Sequence, residues 1–211
     1  MPTTIHKFWR EDTLRKEPDE VSLEKHITDI NPLFNEKVAF TSLEKMILFH
    51  LDNLQLIWHN QLYGDSFSKL KEVRVKFCEK LMTTFPSNST QGLLTFQNLE
   101  TLIVENCWSM KRLFPVSIAT GLLQLKELEI SSCGLEEIVA KEEVNDAPSF
   151  LFPQLTFLRL NNLPKLIHFY LGLHTIEWPM LKQLVVYNCG KTKLYASDGE
   201  SQPALFSFEK V

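Results

Sequence analysis

The 211-residue sequence predicts an α/β solenoid: short parallel strands, one per repeat, stack into one sheet on a concave face, with mostly irregular coil or short helices on the convex side. Three observations carry this. An anchor pair, aromatic or Leu followed three positions later by Leu or Val, recurs every 26 to 30 residues. The same apolar spacing follows each complete anchor, six times in phase, and a fixed period of this length is the mark of a repeat architecture. Finally, 44% hydrophobic and 23% charged residues are the proportions of a soluble, folded chain.

Taken in order, residues 1 to 36 show no repeat register and carry a run of charge from Arg10 to Glu20. They read as an N-terminal linker, an atypical cap or a partly disordered segment, ahead of a repeat domain over 37–211. The anchors are Phe40 and Leu43, Phe67 and Leu70, Phe96 and Leu99, Leu122 and Leu125, Phe152 and Leu155, Trp178 and Leu181, and Phe208 and Val211, which starts a seventh repeat. Successive second anchors lie 27, 29, 26, 30, 26 and 30 residues apart. After each complete anchor the register reads Leu43, Met46, Leu48, Leu51; Leu70, Val73, Val75, Cys78; Leu99, Leu102, Val104, Cys107; Leu125, Leu128, Ile130, Cys133; Leu155, Leu158, Leu160, Leu163; and Leu181, Leu184, Val186, Cys189.

Alternation gives this register its physical meaning. In Leu-x-Leu both apolar side chains leave one face of a strand and the residue between them leaves the other, so each strand has a core face and a solvent face. One repeat cannot bury its apolar face alone, so the repeats stack as a leucine-rich-repeat horseshoe. A second apolar block lines the far wall: Leu54, Ile57, Trp58; Leu81, Phe85; Met110, Leu113, Phe114; Leu135, Ile138, Val139; and Leu166, Phe169, Tyr170. Pro86, Pro115 and Pro164 interrupt these short blocks, which predicts coil, turns and short helical pieces. Polar stretches at Ser87 to Gln91, Lys141 to Ser149 and Ala196 to Pro203 are expected to be mobile loops.

Four cysteines, Cys78, Cys107, Cys133 and Cys189, share one repeat position. A small side chain with a weak S–H donor suits a turn facing the neighbouring repeat's backbone, and there is no C-x-x-C, so they read as a structural ladder and not as metal ligands. His50, His59, His168 and His174 have no Ser, Cys or carboxylate at a catalytic spacing and read as packing or surface residues. With only 7 Gly no phosphate-cradling loop exists. No catalytic, cofactor-binding or metal site is expected. The sequon Asn88-Ser89-Thr90 would be used only in a secreted chain.

The chemistry-bearing surface is the solvent side of the strands. Phe49, Phe157, Arg159 and Tyr187 are of the types that dominate interface hot spots and lead the protein-binding candidates, joined by Arg74, Lys45, Lys76, Glu127 and Glu129. A net charge of −4 and a pI near 5.9, with Lys and Arg scattered, predict no nucleic-acid partner. No apolar run is long enough for a membrane span. Residues 1 to 25 lack a signal peptide's apolar centre, and with sparse cysteines this points to the cytoplasm.

The repeats resemble those of plant intracellular disease-resistance proteins, the nucleotide-binding leucine-rich-repeat receptors, particularly the coiled-coil class. The segments that carry the resemblance run from Phe96 to Cys107, Met110 to Pro115, Leu125 to Cys133, Phe152 to Leu155 and Trp178 to Leu184; it covers about residues 36 to 211. It implies a module that senses a pathogen effector or a guarded host protein and helps hold the receptor inactive. An upstream nucleotide-binding domain of the same receptor is implied as a further partner, though this sequence contains neither that domain nor a coiled coil. A substrate-selecting adaptor of a ubiquitin ligase is the alternative, but it needs an F-box bundle that residues 1 to 36 do not suggest. An extracellular receptor and an enzyme fit less well.

Overall fold

The computed structural model describes residues 20–24 (backbone only), 32–34, 40–58, 67–86, 96–140, 147–171 and 174–190. Along the chain run β1 (Glu20–Glu24), β2 (Lys45–Phe49), β3 (Glu72–Lys76), β4 (Thr101–Glu105), β5 (Arg112–Phe114), the helix α1 (Val116–Ala119), β6 (Glu127–Ser131), β7 (Glu137–Val139), β8 (Ser149–Leu151), β9 (Phe157–Leu163), β10 (His168–Tyr170), β11 (Thr175–Glu177) and β12 (Gln183–Cys189). Seven of these strands form one parallel sheet in the order β1-β2-β3-β4-β6-β9-β12. Over the described residues the molecule is a parallel-sheet solenoid with almost no helix.

Register is the same at every step of the sheet. Met46, Val73, Leu102, Leu128, Leu158 and Leu184 pair in one row, and Leu48, Val75, Val104, Ile130, Leu160 and Val186 in a second. Both rows are buried, except that Val186 in the last strand is only half-buried. Equal offsets are what the alternation demands, because a slip of one residue would turn every apolar side chain outward. The sheet also extends one strand further than the six repeats read from the anchors: β1 lies within residues assigned to a linker or atypical cap, and Val21 and Leu23 pair with Met46 and Leu48.

Turns recur at fixed places in the repeats. The anchor is a tight turn in which the second residue's N–H donates to the first residue's carbonyl, as in Leu70 to Phe67 at 3.0 Å, Leu99 to Phe96 at 3.0 Å and Leu181 to Trp178 at 3.1 Å. His50, Phe77, Asn106 and Ser132 at the strand exits, and Asn162 and Asn188 at the equivalent positions just before the ends of β9 and β12, all have positive φ, between 48° and 56°. The left-handed conformation swings the chain out of the sheet. It also lets the N–H of His50, Phe77, Asn106 and Ser132 reach the carbonyl of Lys76, Glu105, Ser131 and Asn161 on the next strand. One residue later Leu51, Cys78, Cys107 and Leu163 each accept from the residue three positions on. The Cys133 repeat is one residue shorter here, and Gly134 lies so near the previous turn that an added Cβ would sit 2.0 Å from the Trp108 carbonyl oxygen.

The far wall corrects the expectation of coil and short helices. Every residue assigned to it is buried, but β5, β7 and β10 form a three-stranded parallel sheet and β8 and β11 a two-stranded one, with single bridges at Phe34–Trp58 and Leu56–Thr83. The one described helix, α1, has four residues and follows Pro115. Three-residue segments carry two inward apolar side chains each, Leu113-Phe114, Ile138-Val139 and Phe169-Tyr170. Pairing with the next repeat satisfies their backbone groups, which a segment with buried side chains could not otherwise leave open. Of the expected mobile loops, 87–91, 141–146 and 196–203 lie outside the described residues, as do His59, the sequon and the seventh anchor; Ser149 opens β8.

Candidate protein-binding face

The outward side chains of the large sheet form three rows across β2, β3, β4, β6, β9 and β12. The first is Lys45, Glu72, Thr101, Glu127, Phe157 and Gln183; the second Ile47, Arg74, Ile103, Glu129, Arg159 and Val185; the third Phe49, Lys76, Glu105, Ser131, Asn161 and Tyr187. All are half-buried or exposed except Ile103, which is 8% exposed. Ile103 projects from the outer face between Arg74 and Glu129, whereas Leu102 and Val104 on either side of it are fully enclosed in the core.

Most charges on this face neutralise one another. Lys45 Nζ lies 3.7 Å from Glu72, and Arg74 Nε donates to the same carboxylate. Lys76 pairs with Glu105 at 2.8 Å and Arg159 with Glu129 at 3.2 Å. The Arg159 guanidinium also lies 5.1 Å from the centre of the Phe157 ring, a cation–π contact that fixes both side chains. Burial, then the hydrogen bond and charge shared with Glu129, raise Glu127 above the ordinary carboxylate range, opposed by Arg74 and Thr101.

The aromatic candidates fall into two groups. Phe49 sits edge-on to Phe77 at 5.4 Å and to His50 at 4.4 Å, and His50 stacks on Phe77 at 4.7 Å. At the other end Tyr187 is 43% exposed on β12, two strands beyond Glu127 and one beyond Phe157. The sheet thus joins Phe157 with Arg159, and Lys45, Arg74 and Lys76 with their carboxylates, but holds Phe49 and Tyr187 apart. Alternation does not point to His50 and Phe77, because they occupy the left-handed exit position. Aromatic residues there in two consecutive repeats were the available signal.

The cysteines occupy the exit turns. Cys78, Cys107 and Cys133 are fully buried and Cys189 half-buried, and all four are free thiols. Each Sγ faces the carbonyl two residues back, from 3.2 Å for Cys133 to 3.5 Å for Cys78, and Cys189 also meets the Leu160 carbonyl of the preceding repeat at 3.3 Å. Burial first, then the neighbouring Cys107, pushes the Cys78 thiol up to about 12. The hydrogen bond with Cys133, and then burial, pushes Cys107 up further still. His174 is buried against Phe150, Phe169 and Tyr170, and His168 is half-buried on β10. Among the described residues no group of three or more His, Cys, Asp or Glu could hold a metal ion, and no helix is long and apolar enough to cross a membrane.

A family model for the leucine-rich repeats of plant disease resistance protein RPS2-like chains matches residues 20–93 and 87–134. The match begins at β1, the strand that the anchor pattern leaves out. No curated protein and no solved structure matches the chain.

Proposed function

This chain belongs to the leucine-rich-repeat family of plant disease resistance protein RPS2-like chains, and from that membership we propose that it is the protein-recognition module of a cytoplasmic immune receptor. In this reading it is a non-catalytic horseshoe that senses a pathogen effector, or a host protein the effector modifies, and contributes to autoinhibition through the receptor's nucleotide-binding domain. The observation that carries the proposal is the outer face of the large sheet. Its side chains stand on a backbone paired strand to strand, so little ordering is needed before contact, and Phe49, Phe157, Arg159 and Tyr187 stand on that face, half-buried or exposed. A photo-crosslinking amino acid in place of Val185 tests it, with Lys165 on an exposed turn as control. In extract from infected plant tissue, Val185 is expected to capture a discrete protein that Lys165 does not, and the adduct is expected to vanish in a Phe49→Ala, Phe157→Ala, Arg159→Ala, Tyr187→Ala variant. Equal labelling at both positions, or an adduct indifferent to the four substitutions, would sink the proposal.

A further inference from the structure

We infer that the third outward row, from Phe49 to Tyr187, is a track for one extended segment of a partner protein carrying two apolar side chains about seven residues apart with no net charge between them. The inference rests on the recognition reading above and specifies the partner's chemistry. The row crosses six strands from β2 to β12. Five steps of roughly 4.8 Å separate its ends by about 24 Å, the span of about seven extended residues at roughly 3.3 Å each.

Three features of the row fix what fits. Two aromatic residues bound its central part: Phe49, braced by His50 and Phe77 and followed in register by Glu24 on β1, and the exposed Tyr187. Between them Lys76 and Glu105 cancel at 2.8 Å, followed by the neutral Ser131 and Asn161. Between Phe49 and Tyr187 a segment with excess charge finds no unpaired counter-charge on this row, whereas a neutral one leaves the Lys76–Glu105 pair intact and can use Ser131 and Asn161 as hydrogen-bonding groups. The strands from β2 to β9 have a neighbour on each side. Their backbone groups are committed, so the segment cannot add as a further strand within the track and must be recognised through side chains.

A displayed library of random 16-residue peptides, selected against the whole chain, tests the inference. Selected peptides are expected to carry two apolar or aromatic residues six to eight positions apart with no net charge between. Phe49→Ala and Tyr187→Ala are each expected to weaken them at least about tenfold, as loss of an interface anchor does. Phe49→Leu, with an unchanged urea midpoint, should bind within about threefold, which separates loss of contact from loss of fold. Reselection on a Lys76→Glu variant is expected to shift the intervening residues to basic ones. Peptides that need Phe157 and Arg159 but not Phe49 and Tyr187 would overturn the track and leave the recognition reading standing. Peptides indifferent to every outward substitution would overturn both, and charged intervening residues on the unaltered chain, or no selected peptide at all, would overturn the track.

Discussion

Gly134 shows how little room one repeat leaves the next. With one residue fewer than its neighbours, its turn runs against the Trp108 carbonyl, and the Cβ of alanine would lie 2.0 Å from that oxygen. Backbone cannot yield as a flexible side chain does, so Gly134→Ala should destabilise the fold by about 2 to 3 kcal/mol or more, at the upper end of overpacking effects. The urea midpoint measures this, and an unchanged midpoint would mean the turn reorganises freely. A second prediction concerns Cys78. Its thiol rises from an ordinary 9.0 to about 12 in the fold, so the folded state favours the protonated form. That contribution is whole below pH 9.0 and disappears as pH climbs towards 12. The wild type should therefore lose stability across this window faster than a Cys78→Ala variant does, and iodoacetamide at pH 8 should modify Cys78 only after unfolding. Phe77 is strained in a different way: a bulky side chain at φ 56° departs from what that conformation prefers, and the ring gains contacts with Phe49 and His50.

At the scale of the strand, alternation governs what a substitution does. Leu102 is enclosed on every side and Ile103, one position on, faces outward at 8% exposure. Leu102→Ala should cost about 4 kcal/mol and Ile103→Ala about 2, the latter at the low end for such truncations, measured by equilibrium unfolding; equal losses would show that the two faces are not distinct. The strand entrances carry a second device. Glu44, Lys71, Glu100 and Lys126 occupy one position in consecutive repeats, with Lys71 bonding Glu44 at 3.0 Å and Lys126 bonding Glu100 at 2.7 Å, while the Glu100 N–H donates to the Lys71 carbonyl. Lys71→Glu should lower stability by about 0.5 to 1 kcal/mol at low salt, as like charges across a rung do. Adding Glu44→Lys should restore part of the loss, and both effects should shrink at high salt. The large sheet was legible because its spacing repeats in phase, as Leu70, Val73 and Val75 do against Leu99, Leu102 and Val104. The far-wall strands were not. Segments of three residues such as Arg112–Phe114 are too short to display a period, and only stacking reveals their pairing.

Over the whole molecule, stability is a sum of rungs and of the contacts between neighbours. Aromatic packing runs from Phe34 through Trp58, Phe67 and Phe96 to Phe85 and Phe114. A second group at Phe150, Phe152, Phe169 and Trp178 lies beyond an aliphatic stretch that includes Leu122, Leu135 and Val139. Native-state hydrogen exchange should find the slowest amides in β3, β4 and β6, whose inward residues are fully buried, and faster exchange in β12, where Val186 and Cys189 are half-buried. Uniform protection along the sheet would contradict a rung-by-rung account. Strand β1 escaped the sequence because Val21 and Leu23 have the right alternation, but Pro18 stands where the second anchor Leu belongs. The outward candidates were legible from the same alternation that gave the core, whereas His50 and Phe77 needed the exit-turn conformation, which residue type alone does not announce.

The alternating signs at the entrances of β2, β3, β4 and β6, which give way to Thr156 before β9, limit how that part of the array can lengthen. A recombination event that copies one rung would set a lysine beside a lysine, or a glutamate beside a glutamate, at the new joint. Copying two rungs together leaves each cation next to an anion, so growth in couples is the path that electrostatics leaves open.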